Sequence, residues 1–231
     1  MEGMKDSRMR LDPRKKYLQT AFNRSMTEVL LMIAKLPSSD RILIEAGTPF
    51  IKQYGAKGVQ VLRTAWNLKL GKSGYIVADL KTMDRGGKEV EIFAQAGASA
   101  VTCLGLAPTE TINELIRQCE DSGIDSMVDM MNVEFPFEVL RKLKKLPKVV
   151  VLHRGVDEGQ GKNAKILPHQ EINRIKGAYG HLLISIAGGE TERDVVRTYF
   201  NGADIAVVWR QFAEMPDQTS DLAKSFLKLI K

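Results

Sequence analysis

The chain has 231 residues, two cysteines and a net charge of +6, with a sequence pI near 9.2. Hydrophobic residues make up 44% and charged residues 27%, the balance of an ordinary globular protein, and no uninterrupted apolar run reaches membrane-spanning length. The basic residues are scattered, with no nucleic-acid motif among them, and a phosphorylated small molecule fits the mild basicity as well as a nucleic acid would.

Residues 1–16, MEGMKDSRMRLDPRKK, are polar and lack the apolar stretch of a signal peptide. They read as a basic, surface-lying extension, and residues 17–231 as one domain. Eight apolar or β-branched runs follow in order. They are YLQTAFN from Tyr17, RILIEA from Arg41, YIVADLK from Tyr75, SAVTCLG from Ser99, DSMVDMM from Asp125, KVVVLHR from Lys148, HLLISIA from His181 and ADIAVVW from Ala203. A helix-like segment follows each. PTETINELIRQCED opens on Pro108, Thr109 and Glu110, a helix-start signal, and closes at Ser122-Gly123, a helix-stop signal. EFPFEVLRKLKKL reads as another helix.

Eight β-then-α units predict parallel strands joined by right-handed crossovers, and eight is the number that closes a (β/α)8 TIM barrel. An open doubly wound sheet is the weaker alternative, since no glycine-rich dinucleotide fingerprint follows the first strand. The longest irregular stretch, residues 155–170, falls after the sixth strand, where a binding loop or lid would sit. Cys103 and Cys119 have no metal-ligand spacing and read as buried reduced thiols, as in a reducing cytoplasm.

Catalysis in a barrel of this kind sits at the C-terminal ends of the strands. There the runs deliver Asn23, Glu45, the group Asp79/Lys81/Asp84, Asp129 with Asn132, His153, Gly188-Gly189 and Arg210. Each has a plain structural reading taken singly. Glu45 would be a solvated strand end, Asp129 a pairing partner within the fold, His153 a core histidine, Gly188-Gly189 a turn and Arg210 an ion-pair partner. The Asp79/Lys81/Asp84 group is harder to dismiss. Strand alternation puts Asp79 and Lys81 on one face, and facing charges in a core are costly unless paired.

VADLKTMD, from Val77, resembles the Asp-x-Lys-x-x-Asp signature of the orotidine 5′-phosphate decarboxylase superfamily. The likeness is nearest the 3-hexulose-6-phosphate synthase branch, with 3-keto-L-gulonate-6-phosphate decarboxylase as its sister. It runs from Leu18 to Arg210 through IEAGTPFIKQYG, AGASAVTCLGLAPTETI, VDMMNV, HRGVDEGQ, IAGG and NGADIAVV. The resemblance implies a homodimer with shared active sites, a Mg²⁺ cofactor and a phosphorylated sugar substrate. Glu45 and Asp79 would hold the metal. Lys81 would stabilise an enediolate, and Asp84 would reach the neighbouring subunit's site. His153 would move a proton. Asn23 and Asp129 would contact substrate, and Gly188, Gly189 and Arg210 its phosphate.

The implied reaction is a Mg²⁺-dependent aldolase step joining ribulose 5-phosphate and formaldehyde into D-arabino-3-hexulose 6-phosphate. The alternatives are decarboxylation of a keto-acid sugar phosphate and sugar-phosphate binding without turnover. Three positions depart from the family pattern. Asn23 replaces an aspartate, Trp209 replaces a glycine, and Arg154 adds a cation after His153.

Overall fold

The computed structural model describes residues 10–159, 167–189 and 191–230. Strand β1 (Tyr17–Phe22) leads to helix α1 (Met26–Lys35), β2 (Ile42–Ala46) to α2 (Thr48–Leu70), β3 (Ile76–Thr82) to α3 (Gly86–Gln95) and β4 (Ala100–Leu104) to α4 (Thr109–Ser122). The second half repeats the alternation. It runs β5 (Asp125–Asp129), α5 (Pro136–Lys142), β6 (Val149–His153), α6 (Gln170–Ala178), β7 (Leu183–Ala187), α7 (Glu192–Phe200), β8 (Ile205–Val208), then α8 (Arg210–Glu214) and α9 (Thr219–Leu229). The eight strands form a closed barrel in sequence order, every pairing parallel, with β8 returning to β1. The fold is a (β/α)8 TIM barrel, as the eight repeated units imply.

Alternation along each strand sorts the core into two layers. Tyr17 and Ala21 of β1, Leu43 of β2, Val77 of β3, Met127 of β5, and Val149 and Val151 of β6 fill the interior. Leu18, Phe22, Ile42, Ile44, Ile76, Val128, Val150 and Leu152 face outward and pack against the helices. The period of two that produces this sorting also carries each inward series on to a final position at the top of the barrel. Those final positions are Asn23, Glu45, Asp79, Asp129, His153 and Trp209, and the site is made from them.

The helix boundaries follow from local chemistry. Helix α4 ends on Gly123, whose φ of +67° closes it in the left-handed region. Helix α1 starts at a capping box in which Ser25 and Glu28 each bond the other's backbone N–H. Helix α5 is shorter than its sequence suggests. It stops at Lys142, because Leu143 turns extended with ψ 140° as the chain heads for Pro147.

Of the N-terminal extension, residues 10–16 are described. Leu11 is buried with Tyr17 and Tyr75 at the bottom of the barrel, and Arg10 lies 3.6 Å from the buried Asp125. Of the long stretch after β6, residues 155–159 and 167–170 are described. Asp157–Gly159 form one 3-10 turn, and the remainder of the expected lid lies outside the described residues. Among the described residues no helix is long and apolar enough to cross a membrane. Cys103 and Cys119 are both buried and unpaired.

Candidate active site

A cavity of about 390 Å³ opens at the C-terminal mouth. Asn23, Glu45, Asp79, Lys81, Asp129, His153 and Gly188 all line it. Its walls include Ala21, Val151, Val207 and Trp209, so a small polar cluster sits in an apolar cup.

Strand β3 reaches this cavity by departing from regular geometry. The register shifts between the pairs Ala78–Val101 and Thr82–Cys103, and Lys81 has φ +47°. Simple alternation predicts that Asp79 and Lys81 share a face, and both do line the cavity. Lys81 arrives there through a bulge, a device that re-aims side chains at sheet ends. Its Nζ donates to Asp79 Oδ1 at 3.1 Å and to Asp129 Oδ2 at 2.8 Å. Asp79 is held as well by the hydroxyls of Thr48 and Thr102, each at 2.8 Å.

Asp129 is the hub. Its Oδ2 also lies 2.8 Å from His153 Nδ1, and its Oδ1 accepts the backbone N–H of Met131 at 2.9 Å. Burial opposes charge on Asp129, yet His153 and Lys81 outweigh it and hold the carboxyl at about 2. Burial likewise opposes charge on His153. The Asp129 carboxylate overcomes it and raises the imidazole above its ordinary value. Lys81 is raised for the same reason, with Asp79 and Asp129 outweighing burial, and it stays a cation.

Glu45 is the outlier. It is buried, and its Oε2 accepts from Gln19 Nε2 at 2.5 Å. Burial, then the charge of Asp79, push its carboxyl up to about 7. Three carboxylates in this cavity face one lysine and one histidine. The surplus is negative, and Glu45 carries it.

This is the donor set a hard divalent cation fits. Glu45 has one protein donor on its two oxygens, and the neighbouring Gln19 Oε1 is buried without a hydrogen-bond partner. Among the described residues no group of three or more potential ligands gathers. Glu45 and Asp79 would be the pair to hold such a cation, since hard oxygen ligands suit Mg²⁺, which keeps several waters.

The other expected residues lie apart. Asp84 is exposed, accepts the Arg85 N–H at 2.8 Å, and lines a groove between α3 and α4 outside the cavity. Gly189 follows the cavity-lining Gly188 and packs against Asp194 and Leu167. Arg210 begins α8 with its guanidinium 5.7 Å from the centre of the Trp209 ring. Arg154 is held at the edge of the cavity rather than lining it. Its guanidinium donates to the Gly188 carbonyl, and it lines an adjoining cavity with Asn132 and Glu158.

Thr48, in the Gly47-Thr48-Pro49 stretch that follows Glu45 at the end of the second strand, does line the cavity, and two residues not singled out from the sequence complete the site: Gln19 and Thr102. Gln19 carried a usable signal, a polar residue at an inward position of an apolar run. Threonine is an ordinary strand residue, so Thr102 carried none.

Fold and site together define a (β/α)8 barrel with a carboxylate–lysine–histidine cluster at its catalytic face. The sequence matches the profile of the Orotidine 5′-phosphate decarboxylase / HUMPS family over residues 11–224. The chain belongs to that family.

It is 42% identical over 219 residues to a protein named Bifunctional enzyme Fae/Hps from Methanothrix thermoacetophila, covering 93% of this chain and 53% of that protein. The chain thus spans about half the length of such relatives. A solved structure of a 3-hexulose-6-phosphate synthase is 27% identical with a TM-score of 0.74, covering 93% of this chain and 100% of that one. The 3-hexulose-6-phosphate synthase of Salmonella typhimurium, 24% identical with a TM-score of 0.80 and covering 92% and 97% of the two chains, shares the fold.

Proposed function

We propose that this protein is a Mg²⁺-dependent aldolase that joins formaldehyde to ribulose 5-phosphate, giving D-arabino-3-hexulose 6-phosphate, and that it runs the reverse reaction. The observation that carries this reading is the single carboxylate of Asp129 bonded to both Lys81 and His153. It couples a fixed cation to a proton-transfer group inside an apolar cup. The name of the 27% identical structure, a 3-hexulose-6-phosphate synthase, supports the same product.

His153 would take the proton from C1 of ribulose 5-phosphate through Nε2, since Nδ1 is engaged by Asp129. The negative charge that develops on the C1–C2 enediolate would be met by Lys81, already placed and already charged. C1 of the enediolate would then bond to the formaldehyde carbon, and His153 would return its proton to the new hydroxyl oxygen. Glu45 and Asp79 would hold Mg²⁺, which supplies electrophilic pull on the substrate's carbonyl and hydroxyl oxygens. Asn23 would contact substrate hydroxyls. Gly188, Gly189 and Arg210 would take the phosphate at the rim.

Asp84 would serve the site of a second copy of the chain, which its place on the outer groove supports. The two buried thiols suit a reducing compartment, the cytoplasm in this reading. No nucleic-acid or membrane partner is proposed.

Decarboxylation of a keto-acid sugar phosphate is the second reading. A substrate carboxylate would want an unneutralised cation in the cavity. Among the described residues the one lysine or arginine lining it is Lys81, already bonded to Asp79 and Asp129. Arg154 is held at the cavity edge. The CO₂-release arm of the test separates this reading from the aldolase.

The test is formaldehyde consumption with ribulose 5-phosphate, with Mg²⁺ and with a chelator. Metal-dependent loss that disappears in Asp79→Ala supports the aldolase. CO₂ release from 3-keto-L-gulonate 6-phosphate, without formaldehyde loss, replaces it with the decarboxylase. Tight binding of ribulose 5-phosphate with neither reaction leaves a binding protein.

A further inference from the structure

Lys81 has a backbone N–H that regular pairing would give to a carbonyl of β4. The bulge prevents this, and the N–H donates instead to the side-chain hydroxyl of Thr102 at 2.9 Å. The same hydroxyl donates its own proton to Asp79 Oδ1 at 2.8 Å. A hydroxyl has one proton and two lone pairs, so both bonds form at once. Thr102 is 4% exposed and lines the cavity floor.

We infer that Thr102 is a positioning residue for the reaction. Its hydroxyl locks the left-handed backbone at Lys81 and the rotamer of Asp79, and so aims the lysine between Asp79 and Asp129. The inference rests on the proposed role of Lys81.

The physical case is one of competing conformations. A lysine at φ +47° is in a region L residues seldom adopt, and it stays there only if its surroundings hold it. Burying its N–H without an acceptor would be costly, and the Thr102 hydroxyl supplies that acceptor. Without the hydroxyl, β3 gains from relaxing toward regular pairing. Relaxation swings the Lys81 side chain away from the carboxylates. Thr48 makes a useful contrast. It donates to Asp79 Oδ2 at 2.8 Å and also lies 3.0 Å from the Asp79 backbone carbonyl, but it has no bond to Lys81, so it serves as the control that touches Asp79 without touching the lysine.

The test compares Thr102→Val, Thr102→Ser, Thr102→Ala and Thr48→Val in the full chain, by steady-state kinetics and by crystal structures. Valine keeps the shape and removes both hydrogen bonds. Serine keeps both bonds and removes the methyl group. For Thr102→Val, kcat should fall about ten- to a hundredfold, as it does when a group orienting a reacting residue is lost, with KM for ribulose 5-phosphate within about threefold. Thr102→Ser should stay within about threefold of wild type. In the Thr102→Val crystal, Lys81 should leave positive φ and Nζ should part from Asp129, while Thr48→Val should leave Lys81 in place.

An unchanged kcat and an unchanged Lys81 in Thr102→Val would overturn the inference. So would an equal loss in the serine variant, which would assign the effect to methyl packing. If Thr102→Val does not fold, Thr102→Ala is judged by the same two readouts. If no Thr102 variant but serine folds, the residue is structural and the inference fails. If wild type consumes no formaldehyde, the proposed activity is wrong, and the Lys81 conformation in the crystals still decides the role of Thr102.

Discussion

Nδ1 of His153 lies 2.8 Å from Oδ2 of Asp129, deep in the mouth of the barrel, where Asp129 is 2% exposed. The contact fixes which ring nitrogen faces substrate. It also sets the pH at which the imidazole becomes a base, because the carboxylate holds it above its ordinary 6.5. The acid limb of kcat/KM should therefore fall above pH 6.5. Asp129→Asn should move that limb downward and lower kcat by about a hundredfold or more, because the ring loses its orienting partner. A pH–rate profile of the two proteins checks both. An unmoved limb would assign the titration to another group.

Asp129 also ties acid stability to the site. Its folded value of about 2 lies below the ordinary 3.8, so its stabilising contribution is full above 3.8 and fades as pH falls toward 2. The gap in unfolding free energy between wild type and Asp129→Asn should be about 2 kcal/mol or more at pH 6. It should shrink between pH 4 and pH 2. Urea unfolding at those values measures it, and a gap independent of pH would exclude this linkage.

Most of the barrel was legible because its signal is repetitive. Eight inward–outward alternations and eight helical stretches leave few alternatives once counted, and single boundary errors do not disturb the count. The misread end of α5 at Leu143 is an example. The cluster of Glu45, Asp79, Lys81, Asp129 and His153 was legible because charges at the ends of apolar strands are anomalous. Its wiring was not. The bulge at Lys81 depends on a hydroxyl of the next strand, and the place of Arg154 at the cavity edge depends on the Gly188 carbonyl. The bonds Lys81–Thr102 and Arg154–Gly188 join residues more than 20 positions apart, which no local pattern encodes.

Glu45 should respond to magnesium in a pH-dependent way. A carboxyl pushed up to about 7 is protonated at pH 5.5 and ionised at pH 8. A cation that needs the ionised form should raise the unfolding temperature more at pH 8 than at pH 5.5. Glu45→Gln should remove most of the difference. Thermal scans with Mg²⁺ and with chelator report it, and equal shifts at both pH values would place the cation elsewhere.

The exposed Asp84 gives a test of shared sites. If it serves a second copy, Lys81→Ala and Asp84→Ala proteins should each be inactive alone. Mixed and allowed to exchange subunits, they should regain about a quarter of wild-type activity, because half the dimers are mixed and each mixed dimer holds one intact site. No recovery from exchanged dimers would confine Asp84 to its own chain.

Two glycines should respond in opposite directions. Gly188 has φ +95°, and a Cβ there would collide with the Arg154 carbonyl oxygen. Gly188→Ala should cost about 1–3 kcal/mol. Gly177 lies within α6, where an added Cβ meets nothing within 4 Å, and Gly177→Ala should stabilise by up to about 1 kcal/mol. Denaturant unfolding of both variants settles the signs.

The indole of Trp209 has a use independent of chemistry. The chain has two tryptophans. Trp66 is sealed in the outer core at 0% exposure, while Trp209 stands in the cavity wall with a guanidinium against its ring. One emitter is insulated from whatever enters the barrel, and the other is immersed in it. The protein thus carries its own optical gauge: a shift in emission that survives Trp66→Phe and vanishes in Trp209→Phe registers occupancy directly, before any bond is made or broken.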